Sequence, residues 1–471
     1  MYPPPVETNN SLKFMDVIDS TNPKTVTLPP LKIRGWQKIL LLLVGIVIIT
    51  IAVIIFIPSI LNLFAEDIAP INDVDLQLKK VVIADSENAY FDLIKLDKAI
   101  YEPKGKSGEI IDMVSGKIWD DKLVEEIISM NSKSFEYFSE AAIKPKFQDP
   151  VVADPLNISP NIILPNMNVW RKMARLSAIR AVYLANQGRD KEAMEEVLNS
   201  VKIGQKIQES QAPLIEYLVA NAMKGVGLET TQRIVASSKL SSSELAGYAQ
   251  ELNAFYKNED GLINSFKAEY HMSSWMMDAL ASGDQDVLKE IVGEEESKNQ
   301  EIAEKVKNNY YFQPNKTKLL FAEYTRAHIK SVNQPCAEIK AIEVLRLVPT
   351  NPVKLYTEEN AIGRILHDIG AASLTNVSTK KCQEDFLVAA TQTMIAVKAF
   401  KKDMEEYPSV LNELVPRYLA SVPIDPFDGK PLKYSAPKKI VYSVGQDTND
   451  SGGSIGDDWR QMSDPTFKLG F

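Results

Sequence analysis

The stretch that decides the fold is residues 39–57, which read ILLLLVGIVIITIAVIIFI from Ile39 to Ile57. It contains no charged residue, and about 19 helical residues at ~1.5 Å each cross the ~30 Å hydrocarbon layer of a bilayer. The alternative is a buried helix of a soluble protein, but such helices seldom stay apolar on every face over this length. The sequence therefore predicts one transmembrane helix over residues 36–58, with the lipid bilayer as its partner.

The charges on either side of this stretch predict its orientation. Lys32, Arg34 and Lys38 precede it, whereas Glu66 and Asp67 follow it. Basic residues near a span favour the cytoplasmic side. The apolar run is also longer than the core of a cleaved signal peptide. We therefore expect an uncleaved signal anchor in the cell membrane, with a cytoplasmic N-terminus, a single pass and the bulk of the chain extracytoplasmic.

Composition argues against one class of partner and leaves the state of the cysteines open. The 471 residues carry a formal net charge of −9, so no nucleic acid is expected as a partner. Cys336 and Cys382 both fall on the predicted outer side, where a disulfide can persist. Two free buried thiols are the alternative, since a sequence gives no distance between them. The oligomeric state is not predicted.

The chain divides by composition into a tail, the predicted span, a helical body and a C-terminal module, and the predicted fold class is mainly α. Residues 1–35 are polar and rich in proline, which predicts a disordered cytoplasmic tail. Residues 59–375 predict an extracytoplasmic α-helical domain, a bundle or short solenoid, and residues 384–471 a small α+β module. Apolar spacings of three and four predict helices over 75–100, 121–142, 169–209 as a hairpin, 214–237, 242–256, 261–280, 316–331, 358–373 and 384–406. Ser241 to Glu244 offer caps and a first-turn Glu for the helix over 242–256. Residues 284–307 are strongly charged, which indicates a solvated helix face or a mobile lid.

The hairpin over 169–209 is the clearest local signal in the helical body. Gly188 suits the end of its first helix and Asp190 the N-cap of its second. Ala181 and Ala193 are small residues where two antiparallel helices would approach closely. At Ala181, Gly188 and Ala193 the pair resembles a tetratricopeptide unit, although no second unit follows at the expected period. A peptide-binding groove and plain helix packing are the two interpretations.

Histidines and catalytic motifs do not point to an enzyme. His271, His328 and His367 are the three histidines, and none belongs to a metal-binding or nucleophile motif. His367 and Asp368 are the nearest thing to a catalytic pair, but adjacent residues of a helix point to different faces. The sequence also lacks a phosphate-binding loop and a dinucleotide fingerprint. We therefore predict that the protein is not an enzyme.

The C-terminal region combines a helix with three short motifs. After the helix come Tyr407-Pro408, then DPFDGKP over 425–431 and YSVGQD over 442–447. The apolar runs 432–434 and 440–444 predict the two strands of a hairpin. Taken together, residues 386–458 resemble the globular end of the major pseudopilin of type II secretion systems. The larger arrangement resembles a group of bacterial membrane-anchored proteins with an outer helical region and this ending, a resemblance that implies no activity.

Two departures from the pseudopilin pattern bear on function. In that family an apolar helix with a Glu near its start continues directly into the globular end. Here no Glu enters the apolar stretch, and the matching helix begins only at about residue 384. The resemblance therefore implies the fold of the C-terminal module, and polymerisation into a pilus is not expected.

The loop after the second predicted strand is a candidate calcium site. Asp447, Asn449 and Ser451 stand at the first, third and fifth positions, Gly452 at the sixth, and Asp458 at the twelfth, which is the oxygen spacing of a calcium loop. The resemblance also implies calcium, because pseudopilin globular ends bind it in the corresponding loop. The alternative is a solvated acidic loop.

These observations predict a membrane-anchored extracytoplasmic scaffold or interaction protein, with protein partners in an envelope or secretion-related assembly. The alternative is a membrane-tethered receptor that binds a peptide or small ligand in its helical domain. A pocket lined by convergent polar groups would favour the receptor, whereas a large exposed apolar patch would favour the scaffold.

Overall fold

The computed structural model describes residues 35–150, 164–255, 259–332, 334–339, 347, 351, 357–374, 377–454, 456 and 458–471. The protein is mainly helical with one small antiparallel sheet, which confirms the predicted class. The chain separates into two compact units, one ending at Ile60 and the other running from Leu61 to Phe471. Almost all of the predicted cytoplasmic tail, residues 1–34, lies outside the described residues.

The first helix, α1, covers Gly35–Asn62 and contains the whole predicted span. From Ile39 to Ile60 its large apolar side chains are exposed wherever they are described, for example Leu42 at 65% and Ile49 at 64%. Within the part of the chain that the structure describes, no helix was found with the length and apolarity needed to cross a membrane. The transmembrane helix therefore stays a prediction.

The second unit begins with short helices where the sequence predicts one long helix. Over 75–100 the structure has two 3-10 turns, Val74–Leu76 and Asp85–Glu87, followed by α2 (Tyr90–Leu93) and α3 (Leu96–Ala99), so the prediction is wrong. The reason lies in the tertiary hydrogen bonds of Asn88. Its amide donates to the carbonyl of Gln148 and accepts from the same residue's N–H, at 2.7 and 3.0 Å. These bonds fix the chain at Asn88 to the segment that contains Gln148, so the backbone does not continue as one helix.

The next predicted helix, over 121–142, is also broken in two. After α4 (Ser107–Ser115), the structure has α5 (Asp121–Met130) and α6 (Ser132–Ile143), separated at Asn131. The Asn131 side chain is fully buried and bonds both the N–H and the carbonyl of Tyr101. A side chain that bonds backbone elsewhere competes with helix continuation, which explains the break.

Three long helices form the centre of the body and confirm the predicted hairpin. They are α7 (Leu164–Asn186), α8 (Asp190–Glu209) and α9 (Leu214–Ser237). Gly188 has φ +76°, the left-handed conformation expected after the end of α7. The predicted N-cap role of Asp190 is wrong, because Asp190 is the first residue of α8 and its carboxylate accepts from the N–H of Lys239 instead.

The remaining helices of the body follow the predictions except in one charged region. They are α10 (Ser242–Leu252), α11 (Glu259–Ser282), α12 (Gln285–Val292), α13 (Glu294–Ser297), α14 (Gln300–Val306), α15 (Pro314–Val332) and α16 (Ala361–Leu374). A capping box between Ser241 and Glu244 begins α10 as predicted. The charged region 284–307, expected as a solvated helix face or a mobile lid, contains the three short helices α12, α13 and α14, and Gly293, at φ +90°, separates α12 from α13.

The C-terminal region is built on α17 (Val377–Met404), which begins before the predicted position. The strands β1 (Lys433–Ser435) and β2 (Ile440–Tyr442) form the predicted hairpin, and β3 (Thr466–Lys468), which the sequence did not predict, pairs with β2 in the order β1-β2-β3. Every residue of α17 from Glu384 to Phe400 is buried. One apolar cluster joins α8, α9 and α10 to α17 and the sheet, so the helical body and the C-terminal module share a core.

A disulfide between Cys336 and Cys382 ties a short segment to α17, with the two Cα atoms 6.0 Å apart. Both cysteines are buried. The N–H groups of Cys336 and Ala337 also donate to the carbonyls of Pro426 and Phe427, each at 3.1 Å. Of the two alternatives for the cysteines, the structure therefore has the bridged one, and the bridge joins three parts of the second unit.

A close contact between α8 and α9 generates a test of this packing. A Cβ added at Gly227 of α9 would lie 2.7 Å from Val201 Cγ2 and 3.2 Å from the carbonyl oxygen of Val197. We expect Gly227→Ala to lower the free energy of unfolding by about 1–3 kcal/mol, because the extra methyl group overpacks the interface between α8 and α9. Denaturant unfolding of the full chain in detergent, followed by circular dichroism, measures the change.

The matched control is Gly247→Ala on the exposed face of α10, where an added Cβ meets nothing within 4 Å. This change should raise the free energy of unfolding by about 0.5–1 kcal/mol, since alanine loses less backbone entropy than glycine. Equal stability of the two variants would contradict the close approach of α8 and α9.

Candidate functional site

The DPFDGKP and YSVGQD motifs of the C-terminal region meet at one buried carboxylate. Asp425 is fully buried, and its Oδ1 accepts hydrogen bonds from the N–H of Phe427 at 3.0 Å and from Ser443 Oγ at 2.8 Å. Its Oδ2 accepts from the N–H of Val444 at 3.0 Å. Burial raises the pKa of the Asp425 carboxyl above its usual range, and these three donors oppose that rise by stabilising the charged form. Asp425 therefore holds the DPFDGKP turn against the end of β2.

Gly445 begins the loop that carries the predicted calcium ligands. Its φ is +65°, and an added Cβ would lie 1.8 Å from the carbonyl oxygen of Ser463. Both facts require glycine at this position. The chain therefore turns sharply after β2 and returns past Ser463 to form β3.

Two of the four predicted calcium ligands, Asp447 and Asp458, accept local hydrogen bonds through their carboxylates. Asp447 Oδ1 accepts from the N–H of Asn449 at 3.0 Å. Asp458 begins a 3-10 turn, where it accepts from the N–H of Arg460 at 3.1 Å and pairs with the same residue's guanidinium. The N–H of Ser451 donates elsewhere, to Asp464. Across the described ranges, no group of three or more His, Cys, Asp or Glu side chains is placed to hold a metal ion. Calcium binding stays a prediction.

Asp464 is a residue that the sequence analysis missed. Its side chain is fully buried under the loop, and its Oδ2 accepts from the N–H groups of Ser451 and Gly453, both at 2.9 Å. Its other oxygen, Oδ1, accepts no hydrogen bond from any described residue. The sequence signal for this residue is an Asp-Pro pair that stands directly before Thr-Phe-Lys, a run with the composition of a β-strand. Asp464 therefore holds the loop in place through the N–H groups of Ser451 and Gly453.

A groove lies between α9, α17 and the 3-10 turn at Trp459, with a volume of about 360 Å³. Its lining combines small and apolar side chains with polar and charged groups. Gly225 and Ala222 leave the open space, because larger residues there would fill it. The lining residues are Leu218, Asn221, Ala222, Gly225, Val226, Glu229, Lys380, Gln383, Glu384, Leu387, Trp459 and Arg460.

A buried ion pair closes the inner side of this groove. Lys224 is 1% exposed and pairs with Glu384, which is 7% exposed. The Lys224 ammonium also donates to Gln205 Oε1 at 2.7 Å and to Gln208 Oε1 at 2.9 Å. Glu384 Oε2 accepts from the amides of Gln208 and Asn221. Because every charge here has a partner, the pair holds α9 to α17 without leaving an uncompensated charge. A lysine within the mostly apolar middle of α9 is a weak signal of this pair.

The outer side of the groove is closed by the C-terminal turn. Trp459 Nε1 donates to Glu229 Oε1 at 3.0 Å, and the Arg460 guanidinium pairs with the same carboxylate. The guanidinium carbon of Arg460 lies 4.5 Å from the centroid of the Trp459 ring. The segment that begins at the predicted calcium ligand Asp458 therefore also forms a wall of the groove.

Each of the three histidines makes its own packing or hydrogen-bond contact, and the described residues do not bring the three together in one site. His271 Nε2 accepts from the N–H of Leu78 at 3.3 Å. His367 Nδ1 lies 3.4 Å from Asp368 Oδ1, so the expectation that these neighbours point apart is wrong. His328 is buried beside Tyr324 and Phe266, with ring centroids 4.6 and 5.1 Å away, and neither ring nitrogen has a hydrogen-bond partner among the described residues. The absence of catalysis stays a prediction.

Comparison with protein-family models, with curated proteins and with solved structures finds no match for this chain. The resemblance of residues 386–458 to the major pseudopilin therefore stays a prediction. The functional argument rests on the residues and contacts described above.

The burial of His328 predicts a loss of stability in acid. Burial lowers the pKa of its imidazole to about 4, from 6.5 in the unfolded chain. Below pH 6.5 the unfolded chain binds a proton that the folded chain does not, so the free energy of unfolding falls as the pH drops toward 4, by at most about 1.4 kcal/mol per pH unit. We expect His328→Phe to remove this part of the pH dependence, measured by denaturant unfolding between pH 7 and 4.

His271→Phe is the matched control, since it deletes a histidine that accepts a hydrogen bond. This variant should be destabilised already at pH 7, by about 1–3 kcal/mol, because the N–H of Leu78 loses its acceptor. An unchanged acid profile in His328→Phe would show that another group carries the pH dependence.

The calcium prediction is tested by ligand removal. A calcium concentration one hundred times the dissociation constant should raise the free energy of unfolding by about 2.7 kcal/mol relative to chelator. We expect Asp447→Asn to abolish this difference and Asp97→Asn, at an exposed position in α3, to leave it unchanged. Identical melting of the unmodified chain with calcium and with chelator would remove the calcium site.

Proposed function

We propose that this protein is a single-pass membrane-anchored, extracytoplasmic interaction protein that works as a scaffold in an envelope or secretion-related assembly. The observation that carries the anchor is the uncharged run from Ile39 to Ile57, with basic residues before it and acidic residues after it. All 19 residues of this run belong to α1, a 28-residue helix. The bilayer is its proposed partner.

The disulfide supports placing the second unit outside the cytoplasm. Cys336 and Cys382 are bridged, and disulfides persist in oxidising compartments but are rare in the cytosol. This agrees with the orientation that the flanking charges of α1 predict. Two independent features of the chain, one of charge and one of redox chemistry, therefore point to the same side of the membrane.

The scaffold role is proposed because the second unit is a large shared core without a catalytic constellation in the described residues. Its charged pairs at the groove are internally satisfied, as Lys224 with Glu384 and Arg460 with Glu229 show. Side chains already paired in this way hold a shape and offer no group poised for chemistry. Protein contact is therefore the proposed mode of action, and a structural calcium at Asp447 remains part of this proposal.

The groove favours the second candidate, a membrane-tethered receptor. Its volume of about 360 Å³ lies within the usual range for small-molecule sites, and its lining places Asn221, Glu229 and Arg460 beside apolar side chains. Native mass spectrometry of the full chain separates the two candidates. A bound peptide or small molecule that is lost in Gly225→Phe would support the receptor, and no retained ligand in the unmodified chain would support the scaffold.

The anchor and its orientation are tested with reporters fused after Phe471 in a bacterial host. Alkaline phosphatase is active only outside the cytoplasm. Green fluorescent protein fluoresces when it stays in the cytoplasm and does not fluoresce when it is exported unfolded. We expect an active phosphatase fusion, a dark fluorescent fusion and retention of the chain in carbonate-washed membranes. Deletion of residues 39–57 should reverse all three results. A fluorescent, carbonate-soluble full-length fusion would overturn the proposal.

A further inference from the structure

Two large apolar side chains stand exposed at the start of the second unit. Leu63 is 78% and Phe64 is 79% exposed, which makes them among the most exposed large apolar residues that the structure describes. They follow the end of α1 directly. Single exposed apolar residues need no explanation, but this pair lies next to the chain's proposed membrane anchor.

The residues on either side of this pair are held firmly in place. Leu61 and Ala65 pack against a small cluster formed by Tyr310, Tyr311 and Ala361. The N–H of Phe64 donates to the carbonyl of Leu61 at 3.0 Å. Leu61 and Ala65 therefore point inward, whereas Leu63 and Phe64 between them point outward. The exposure of Leu63 and Phe64 follows from a packed turn.

Asp67 fastens the same segment to the start of α15. Its Oδ2 accepts from the N–H of Asn315 at 2.7 Å, and its Oδ1 accepts from the N–H of Lys316 at 3.0 Å. The Asn315 amide donates back to the carbonyl of Ile68 at 2.9 Å. These bonds satisfy N–H groups at the N-terminus of a long helix, where a carboxylate is favoured. The exposed pair is thus clamped from both sides.

Chain length places the pair at the level of the lipid headgroups. Leu63 comes six residues after Ile57, which corresponds to roughly 9 Å of helix at ~1.5 Å per residue. The headgroup region adds roughly 5–7 Å on each side of the hydrocarbon. Leu63 and Phe64 therefore lie near its outer edge, within reach for side chains of their length. Glu66, the next charged residue, is exposed and suits water.

We propose that Leu63 and Phe64 form a lipid contact at the outer surface of the bilayer, through which the clamped turn binds the membrane. This proposal rests on the proposed anchor and deepens it, because it adds a lipid contact outside the span. Amphiphilic interfaces favour aromatic and large apolar side chains. The partner is a lipid surface.

Site-directed spin labelling of the full chain in phosphatidylcholine vesicles tests the proposal. The native cysteines are bridged to each other, so a nitroxide reacts only with an introduced cysteine. We compare Leu63→Cys and Phe64→Cys with Ile143→Cys, an 81% exposed apolar position at the end of α6, and with Ile48→Cys in the middle of the proposed span. The readout is the ratio of collision with oxygen, which partitions into lipid, to collision with a water-soluble nickel complex.

The proposal expects a severalfold higher oxygen-to-nickel ratio at positions 63 and 64 than at 143. Ratios at 63 and 64 equal to that at 143, with a high ratio at 48, would overturn the lipid contact and leave the anchor intact. High ratios at 63 and 64 with a low ratio at 48 would support the surface contact and overturn the span. Low ratios at all four positions would overturn both. The substituted side chains are exposed and do not pack inside the protein, so folding is expected to be unaffected.

Discussion

The second unit depends on one constraint, the burial of α17 on every face from Glu384 to Phe400. A helix buried all round gains apolar contacts on every side, but each of its polar side chains must find a partner inside the protein. Those partners come from different elements. Glu384 pairs with Lys224, Gln392 donates to the carbonyl of Ala249, and Lys398 donates to carbonyls at the end of α9. The position of α17 therefore determines how α9 and α10 pack.

This arrangement explains why the helical body and the C-terminal module are not independent. The apolar cluster around α17 includes residues of α8, α9 and α10 on one side and of the sheet on the other. Asp425 connects the turn before the sheet to the end of β2, and the disulfide connects that turn to α17 through Cys336. Loosening one of these connections would expose core shared by both parts, which favours cooperative unfolding of the unit.

The same helix also lines two cavities of the described part of the chain. The groove lies along one face of its N-terminal part, at Lys380, Gln383, Glu384 and Leu387. A smaller cavity of about 190 Å³ lies along the other face, beside Cys382 and the buried pair of Lys381 and Asp385. Both cavities therefore have rigid walls, since α17 cannot shift without breaking its buried ion pairs. Rigid walls suit a scaffold and a receptor equally, and only the identity of the occupant separates the two.

The sequence by itself determined the features that depend on neighbouring residues. The limits of α9, the capping box at Ser241 and the first hairpin of the sheet follow from local periodicity, capping and turn chemistry, and the structure has them where they were predicted. Only the tertiary structure decided the rest. Asn88 breaks a predicted helix through Gln148, 60 residues away, and Glu384 meets Gln208 across 176 residues. β3, Asp464 and the disulfide likewise depend on distant partners. The physical reason is that a hydrogen bond or ion pair between residues far apart in the chain leaves no periodicity in the sequence, whereas caps, turns and apolar spacing do.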